Sequence, residues 1–409
     1  MTVRPLVEAD RDAVFRIARI CFNVPPEWIR SVGPELRLDR YLGSEVNGAL
    51  AGVAADFDLR QWFHGRAVRC SGVASVAVLP EHRGAGHASR LVEELLRRAR
   101  REGMLVSSLY PATTRVYRQL GYELAGQRSQ FRVKLSDLPA GWSADGGLAA
   151  GGTEVAESGL AELDVIRRCY RRFASRHTGL VECDTEDWWR RRVFRLWSDA
   201  PVRVVVARRP GPGGVAPAGE IEGYAAFQLD AIPGTWSYDI ACTHFIALTP
   251  GAAWALLKYF RGYRGLGQSL SWYGSPNEPL AVWLGAGAED VTPVRTQRFM
   301  TRLVDVSGAL TARGWPEVSV ETTFAVRDAL FPENEGPWRM EVSEGRARVE
   351  RADRPAGCLL SIGALSALYT GHLTMPDLVS LGWIDPGEPQ LPALSRIFSG
   401  PAPWMPDIF

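Results

Sequence analysis

The stretch Val76–Arg98, VAVLPEHRGAGHASRLVEELLRR, decides the fold of the first part of this chain. Its alternating valines, Val76 and Val78, indicate a β-strand, and the apolar positions from Leu91 onward recur at helical spacing. Between them an Arg-Gly-Ala-Gly turn opens the helix, where backbone N–H groups are unpaired and the helix dipole is positive. Because small residues let an anion approach these amides, the stretch predicts a strand, a phosphate-binding turn and an amphipathic helix.

Composition limits the class of protein. The chain has 409 residues, which is longer than a domain with a single hydrophobic core usually is, so we expect several domains. Its net charge of +1 gives no reason to expect a nucleic-acid partner, and no apolar run approaches the ~20 residues that cross a bilayer. The six cysteines lack paired spacing and the six histidines lack metal-ligand spacing. We therefore expect free thiols, no metal and a cytoplasmic location.

Patterning along the chain predicts an α/β (α+β) protein in three parts. Residues 1–138 alternate strands and helices, and the Gly-rich residues 139–152 are expected to be a linker. Residues 153–300 repeat the same order of elements, but no Arg-x-x-Gly-x-small turn lies between the strand that ends FIALTP and the helix that begins GAAWALLKYF. Residues 301–409 form a third domain with strands and short helices, and its apolar end, PWMPDIF, is expected to be packed. The strands expected in the first part are Thr2–Leu6, Gly48–Leu59, Ala67–Val78, Leu105–Tyr110 and Tyr122–Leu135.

Two motifs in the first part carry a family resemblance. VAVLPEHRGAGHA resembles the acetyl-CoA signature of the GNAT acetyltransferases, Arg/Gln-x-x-Gly-x-Gly/Ala, and TTRVYRQLGYELAG is similar to their later Tyr and Gly-aromatic motif. The repeated second part, with LVDV and NEGPWRMEV in the third, is similar to the Eis (enhanced intracellular survival) acetyltransferases. The resemblance implies two tandem GNAT-like domains, each with a central mixed sheet, and a sterol-carrier-protein-like carboxy-terminal domain. The second domain would lack the phosphate loop.

The resemblance also implies acetyl-CoA as cosubstrate and assigns roles to residues. In this family acetyl-CoA separates two strands, so the amides of Val76 and Val78 would pair with the pantetheine arm. Tyr117 would be the general acid that protonates the departing thiolate. The general base would be the carboxylate of the last residue, here Phe409. The expected donor-binding residues are Val76, Ala77, Val78, Arg83, Gly84, Ala85, Gly86, His87, Ala88, Ser89, Ala112 and Thr113.

The chemistry of acyl transfer to an amine requires both an acid and a base. An alkylammonium with a pKa of ~10.4 is mostly charged at neutral pH, so a carboxylate or histidine must accept its proton. Tyr110 and Tyr122 compete with Tyr117 for the acid role, and the resemblance favours Tyr117, because its spacing to Gly121 matches the family's motif. No cysteine has a matched histidine, which favours direct transfer in a ternary complex.

The acceptor implied by the resemblance is a small-molecule or peptide amine, such as an aminoglycoside, a polyamine or a lysine. Where the family has an acidic residue after the first helix, this chain has Asn23 and Val24, and Phe22, Trp28 and Trp62 suggest a more apolar pocket. The resemblance further implies a homo-oligomer, a hexamer. Two other functions stay open: a lipid or sterol carrier working through the third domain, and a non-catalytic acyl-CoA-binding protein.

Overall fold

The computed structural model describes residues 1–33, 36–139, 152–182, 184–195, 202–209, 220–285, 291–353 and 357–409. They divide into two compact units. The first contains Met1–Gly126, Arg298–Pro403 and Phe409, and the second contains Gln127–Gln297 and Trp404–Ile408. Most of the predicted linker, residues 139–152, lies outside the described residues.

The amino-terminal part of the chain alternates strands and helices, as its patterning predicts. The long helix after the Gly-rich turn buries Leu91, Val92, Leu95 and Leu96 on one face, which is the stripe expected from helical spacing. The elements are β1 (Thr2–Pro5), α1 (Arg11–Phe22), α2 (Pro26–Val32), β2 (Tyr41–Val46), β3 (Ala49–Phe63), β4 (Arg66–Val78), α3 (His87–Arg101), β5 (Val106–Leu109), α4 (Thr114–Gln119) and β6 (Glu123–Lys134).

The middle part repeats this order. Its elements are β7 (Glu154–Ser158), α5 (Leu163–Ala174), β8 (Val181–Glu182), α6 (Glu186–Trp188), β9 (Arg203–Arg208), β10 (Gly223–Ala231), β11 (Tyr238–Ala247), α7 (Pro250–Arg261), β12 (Gly267–Gly274), α8 (Pro279–Gly285) and β13 (Pro293–Leu303). The third part consists of α9 (Val306–Ala312), β14 (Val320–Arg327), β15 (Gly336–Ser343), β16 (Arg346–Arg351), β17 (Leu359–Ser361), α10 (Ile362–Thr370), α11 (Met375–Ser380) and α12 (Leu391–Ile397).

Each unit contains a mixed sheet, and the two sheets share one pattern of strand directions. In the first unit β1, β2, β3 and β4 are antiparallel neighbours, β5 runs parallel to β4, and β13 is antiparallel to β5. In the second unit β7, β9, β10 and β11 are antiparallel, β12 runs parallel to β11, and β6 is antiparallel to β12. A separate four-stranded sheet, β16-β15-β14-β17, belongs to the first unit.

The last strand of each mixed sheet comes from the opposite half of the chain. Met300–Leu303 of β13 pair with β5 in the first unit, although β13 follows the whole middle part in sequence. Conversely, Ser129–Lys134 of β6 pair with β12 in the second unit, although β6 directly follows α4. The two halves therefore exchange their final strands.

Some elements differ from the sequence-based expectation. Strand β2, strand β14 and helix α5 are present but were not predicted, and β4 begins at Arg66. Asp10 is the N-cap residue of α1, yet its carboxylate accepts the N–H of Val7 at 2.9 Å and pairs with Arg4, so it stabilises the preceding turn. Among the described residues, no helix combines the length and apolarity that a membrane span requires.

Candidate functional site

The strands β4 and β5 separate partway along their length. They pair only through Cys70–Gly72 of β4 and Val106–Ser108 of β5. Beyond Gly72, β4 continues to Val78, while β5 ends at Leu109. A bulge lies on β4 just past the last pair: Ser75 has a left-handed φ of 53°, and the register with β3 shifts there. Since a bulge bends its strand and increases the local twist, it turns β4 away from β5 and opens a gap.

The backbone of β4 presents N–H groups to this gap. The N–H of Leu79 donates to the carbonyl of Ala51 on β3 at 2.9 Å, so the peptide groups of every second residue point towards β3. By that alternation Ala77 also faces β3, whereas Val76 and Val78 face the other way. The carbonyl of Val78 also faces away from β3, since it accepts a hydrogen bond from the side chain of Arg83 at 3.1 Å. The amides expected to bind a pantetheine arm thus point into the gap.

The turn before α3 has the conformation that the small residues predict. Gly84 and Gly86 both have φ of 83°, in the left-handed region that favours glycine, and Gly86 is the N-cap of α3. A Cβ built on either glycine would meet nothing within 4 Å. The turn is exposed, and the N-terminal amides of a 15-residue helix lie next to it. This arrangement suits a phosphate, because an anion can reach the amides and the positive end of the helix dipole.

Two side chains of the predicted donor-binding set are engaged elsewhere. The Arg83 guanidinium donates through Nε to the carbonyl of Val78. The His87 imidazole is buried, with Nδ1 2.5 Å from the hydroxyl of Ser44 on β2, and burial, with nearby positive charges, lowers its pKa below the usual value. Only the backbone of His87 is therefore available at the turn. Ala112 and Thr113 lie between β5 and α4, where Thr113 is the N-cap of α4.

Tyr117 on α4 is buried under the sheet of the first unit. Its ring packs in a cluster with Val73 of β4 and Leu91 of α3, and meets the ring of Tyr122 edge-on at 6.0 Å. Burial raises the pKa of Tyr117 to about 12. The hydroxyl therefore stays protonated at neutral pH and can act as a proton donor.

The competing tyrosines have other contacts. The hydroxyl of Tyr122 is 2.7 Å from that of Ser107, which in turn donates to the carbonyl of Ser71 at 2.9 Å. The ring of Tyr110 packs edge-on against Phe299 at 6.1 Å. Among the described residues, none forms a hydrogen bond with the Tyr117 hydroxyl. Tyr117 is thus the buried tyrosine whose hydroxyl is not already committed.

The carboxy-terminal residue is seated on β4 at the mouth of the gap. A Cβ built on Gly72 would lie 2.9 Å from Cε2 of the Phe409 ring and 3.0 Å from Cδ2. The Phe409 ring therefore packs directly on Gly72, the last residue of β4 that pairs with β5. Gly72 was not predicted from the sequence, since one glycine inside a valine-rich strand gives no signal of what packs on it.

Phe409 and Tyr117 lie on opposite faces of the sheet. Successive side chains of a strand alternate between faces, so Gly72, which faces the Phe409 ring, and Val73, which packs with Tyr117, point in opposite directions. The gap between β4 and β5 begins at these two residues. A group passing through the gap would have the tyrosine on one side and the chain terminus on the other.

The second unit has the same pattern of strands as the first, but its helix α7 is not preceded by a turn of small residues. Its helix α7 begins directly after the strand β11, at Pro250, whose nitrogen carries no hydrogen. The hydroxyl of Thr249 accepts the N–H of Ala252 at 3.2 Å and so caps the helix from within the chain. Within the described residues, no cluster of three or more His, Cys, Asp or Glu side chains could hold a metal ion.

Comparison with known proteins matches the three parts of the chain to two kinds of domain. Residues 2–125 and 184–303 each match an acetyltransferase (GNAT) domain, and residues 306–406 match the sterol carrier protein domain. An uncharacterized N-acetyltransferase of Streptomyces coelicolor is 28% identical, with 91% of this chain and 90% of the relative covered. The N-acetyltransferase Eis of Mycobacterium tuberculosis is 26% identical, and the alignment covers 80% of this chain and 77% of the length of Eis.

A solved structure is similar over the whole length. The GCN5-related N-acetyltransferase from Kribbella flavida superposes with a TM-score of 0.83 at 26% identity, covering 100% of this chain and 98% of that one. The expected fold class, two GNAT-like domains followed by a sterol-carrier-like domain, is confirmed.

Proposed function

Because this chain is an Eis-like GNAT N-acetyltransferase that takes its acetyl group from acetyl-CoA, we propose that it passes that group directly to a primary amine. In this proposal the Tyr117 hydroxyl is the general acid, and the terminal carboxylate of Phe409 is the general base. The acceptor class is an aminoglycoside, a polyamine or a lysine side chain. The active assembly is a homo-oligomer, with a hexamer as the specific expectation, acting in the cytoplasm.

One observation carries the proposal: the Phe409 ring is seated at Gly72, where β4 and β5 part, with Tyr117 packed on the other face. The donor would lie with its pyrophosphate at the Gly84–Gly86 turn and its pantetheine arm against the amides of Val76 and Val78. Its thioester would then reach the gap from the Tyr117 side.

The proton transfers follow from this placement. The Phe409 carboxylate accepts a proton from the acceptor ammonium, which leaves the nitrogen lone pair free to attack the thioester carbonyl carbon. A C–N bond forms and the C–S bond breaks, and Tyr117 donates its proton to the departing sulfur. The second proton lost from the nitrogen returns to the tyrosinate, which restores the Tyr117 hydroxyl and leaves a neutral amide. Burial raises the pKa of Tyr117 to about 12, so the hydroxyl holds a proton at neutral pH that it can donate as negative charge develops on the sulfur.

The cysteines support direct transfer. Burial raises the pKa of the Cys70 and Cys169 thiols to about 12 and that of Cys358 to about 11, and it raises the pKa of Cys242 as well. Since the thiolate is the nucleophile, these four groups are poor carriers of an acetyl group at neutral pH. A ternary complex needs no such carrier.

The test of the base is a chain lengthened by one glycine after Phe409. The addition moves the carboxylate by one residue and puts a peptide bond in its place. We expect kcat to fall roughly 100-fold or more, as for the loss of a general base, while calorimetry shows unchanged acetyl-CoA affinity. The matched control is Ile408→Ala, because this tail side chain is 38% exposed and its replacement leaves the terminal carboxylate intact.

The acceptor is tested in the same assay by following CoA release with a panel of aminoglycosides, polyamines and lysine peptides. An unchanged kcat in the lengthened chain would refute the base assignment. If acetyl-CoA bound normally but no amine in the panel were acetylated, the non-catalytic acyl-CoA-binding alternative would replace the proposal.

A further inference from the structure

A buried histidine holds the end of the chain at a point before Phe409. His244 on β11 is 3% exposed, and its Nε2 lies 3.2 Å from Oδ1 of Asp407, itself 7% exposed. Its other ring nitrogen, Nδ1, lies 2.7 Å from the hydroxyl of Tyr224 on β10. All three residues belong to the second unit. The imidazole therefore bridges a strand of the sheet and the carboxy-terminal tail.

A neutral imidazole satisfies both hydrogen bonds. A tyrosine hydroxyl donates to the unprotonated ring nitrogen, so Tyr224 is assigned as donor to Nδ1 of His244. The proton of a neutral imidazole is then on Nε2, which donates to the carboxylate of Asp407. In this arrangement Tyr224 donates to His244 and His244 donates to Asp407. The second hydrogen bond is charge-assisted, because its acceptor is a carboxylate.

Aromatic rings fix the orientation of the imidazole. Tyr170 on α5 stacks on His244 with ring centroids 5.4 Å apart and an angle of 15° between the planes. The Trp189 ring meets His244 edge-on at 5.9 Å. With one face stacked and one edge covered, the imidazole cannot swing away from Asp407 without displacing buried rings.

The tail makes further contacts on the way to Asp407. The N–H of Trp404 donates to the carbonyl of Thr178 at 2.9 Å, and the N–H of Met405 donates to the carbonyl of Gln127 at 3.2 Å. The Trp404 ring packs edge-on against Phe173 at 6.2 Å. Trp404 and Met405 are both buried, which confirms the expectation of a packed end. Asp407 is the last of these anchoring residues.

Stability alone is a weak reason for this pair. A buried carboxylate gains little net free energy from its hydrogen bond, because the loss of hydration offsets the attraction. Here the second carboxylate oxygen of Asp407 is buried with no partner among the described residues, which adds to the cost. Fixing a position is the better-supported use of such a pair.

We propose that His244 is a positioning residue, which holds Asp407 so that Phe409, two residues later, keeps its ring against Gly72 and its terminal carboxylate in a fixed position. One residue separates Asp407 from Phe409, so their Cα atoms can be no more than ~7 Å apart, and an anchored Asp407 leaves the terminus little freedom. This inference rests on the proposed function of Phe409 as base. Its direct consequence, an immobilised terminus, does not.

The first experiment compares Asp407→Asn with Asp407→Ala. The Asn amide oxygen still accepts from Nε2 of His244, whereas Ala removes the acceptor; neither change strands a charge in the protein. We expect Asp407→Asn to keep most of the wild-type kcat. Asp407→Ala should lower kcat by roughly tenfold, as for the loss of one charge-assisted hydrogen bond, with the KM for acetyl-CoA unchanged. If Asn were as damaging as Ala, the charge of Asp407 would matter rather than its position, and the proposal would be overturned.

The second experiment measures release of the terminus without using catalysis. Carboxypeptidase A removes an accessible terminal phenylalanine, and intact mass reports the loss. We expect the wild type and Asp407→Asn to resist, and Asp407→Ala to lose Phe409 at least several-fold faster. The matched control is Tyr170→Phe, which removes a 2.7 Å hydrogen bond to the carbonyl of Val181 but keeps the ring on His244. It should resist as the wild type does.

The outcomes separate the two proposals. Equal protection of Asp407→Ala and the wild type would overturn the anchoring inference, whatever the lengthened chain does. If Asp407→Ala lost Phe409 quickly but kept the wild-type kcat, the anchoring inference would be supported and the assignment of the terminal carboxylate as general base would be refuted. Thermal melting of each variant excludes global unfolding as the cause of release.

Discussion

The substitution Gly72→Ala tests the seat of the terminus most sharply. A methyl group on Gly72 would stand 2.9 Å from Cε2 of Phe409, 3.0 Å from Cδ2, and 2.5 Å from Cδ1 of Leu59. Carbon atoms in contact normally lie about 3.5–4.0 Å apart. The Leu59 methyl is the end of a flexible side chain and can rotate away. The Phe409 ring must then move by about 0.5–1 Å.

The expected size of the effect follows from that shift. A misplacement of about 1 Å in a reacting group can lower the rate about 100-fold, so we expect Gly72→Ala to reduce kcat by about 10- to 100-fold. Overpacking should destabilise the fold by only about 1–3 kcal/mol. Acetyl-CoA affinity should not change, because the turn at Gly84–Gly86 and the amides of Val76 and Val78 are untouched.

The assay follows CoA release with a thiol reagent and measures acetyl-CoA affinity by calorimetry. Gly265→Ala is the control for a glycine replacement, since a Cβ there meets nothing within 4 Å. Combining Gly72→Ala with Phe409→Leu should recover part of the lost kcat, because the smaller side chain makes room for the methyl. A wild-type kcat in Gly72→Ala, or a loss explained entirely by weaker acetyl-CoA binding, would refute the reasoning.

Four further predictions concern the site and the buried ion pairs of the first unit. Tyr117→Phe should lower kcat by about 10²–10⁴-fold with donor affinity kept, whereas Tyr122→Phe should mainly lower thermal stability. Because the pKa of Tyr117 is about 12, its hydroxyl stays protonated as pH rises, so kcat should show no fall due to this group below about pH 11. Gly86→Ala should raise the KM for acetyl-CoA several-fold without lowering kcat, since alanine strains the left-handed φ. Asp56→Ala should lower the free energy of unfolding, measured in urea, by about 3–5 kcal/mol, because it removes the buried carboxylate that pairs with Arg98. A stability change under 1 kcal/mol would contradict this last prediction.

The features predicted correctly from the sequence are local. The turn, α3 and the strand before it are encoded within a few dozen consecutive residues by spacing and small side chains, and the structure contains them as expected. The amphipathic stripe from Leu91 to Ala99 is likewise buried. Helix α5 was missed because LDVIRRCYRRFA carries four arginines, which obscure its apolar face until Ile166 and Tyr170 are seen buried.

The features missed depend on contacts distant in sequence. The pair His244–Asp407 joins residues 163 positions apart, and no local pattern marks either as a partner. The seat of Phe409 on Gly72 likewise depends on how the tail returns to the sheet. The roles of the predicted donor-binding residues stay predictions, although the structure shows that the side chains of Arg83 and His87 make internal contacts.

The exchanged final strands have a consequence for how this protein is made. During synthesis, β5 (Val106–Leu109) emerges early with an unpaired backbone edge, but its antiparallel neighbour ends at Leu303. At about 5–20 residues per second, the ribosome takes roughly 10–40 s to deliver that neighbour. Throughout this interval the nascent amino-terminal half carries an unfinished sheet, which is a template for aberrant pairing. Expression of that half by itself should give aggregation or chaperone retention, and co-expression with a fragment containing β13 should restore solubility.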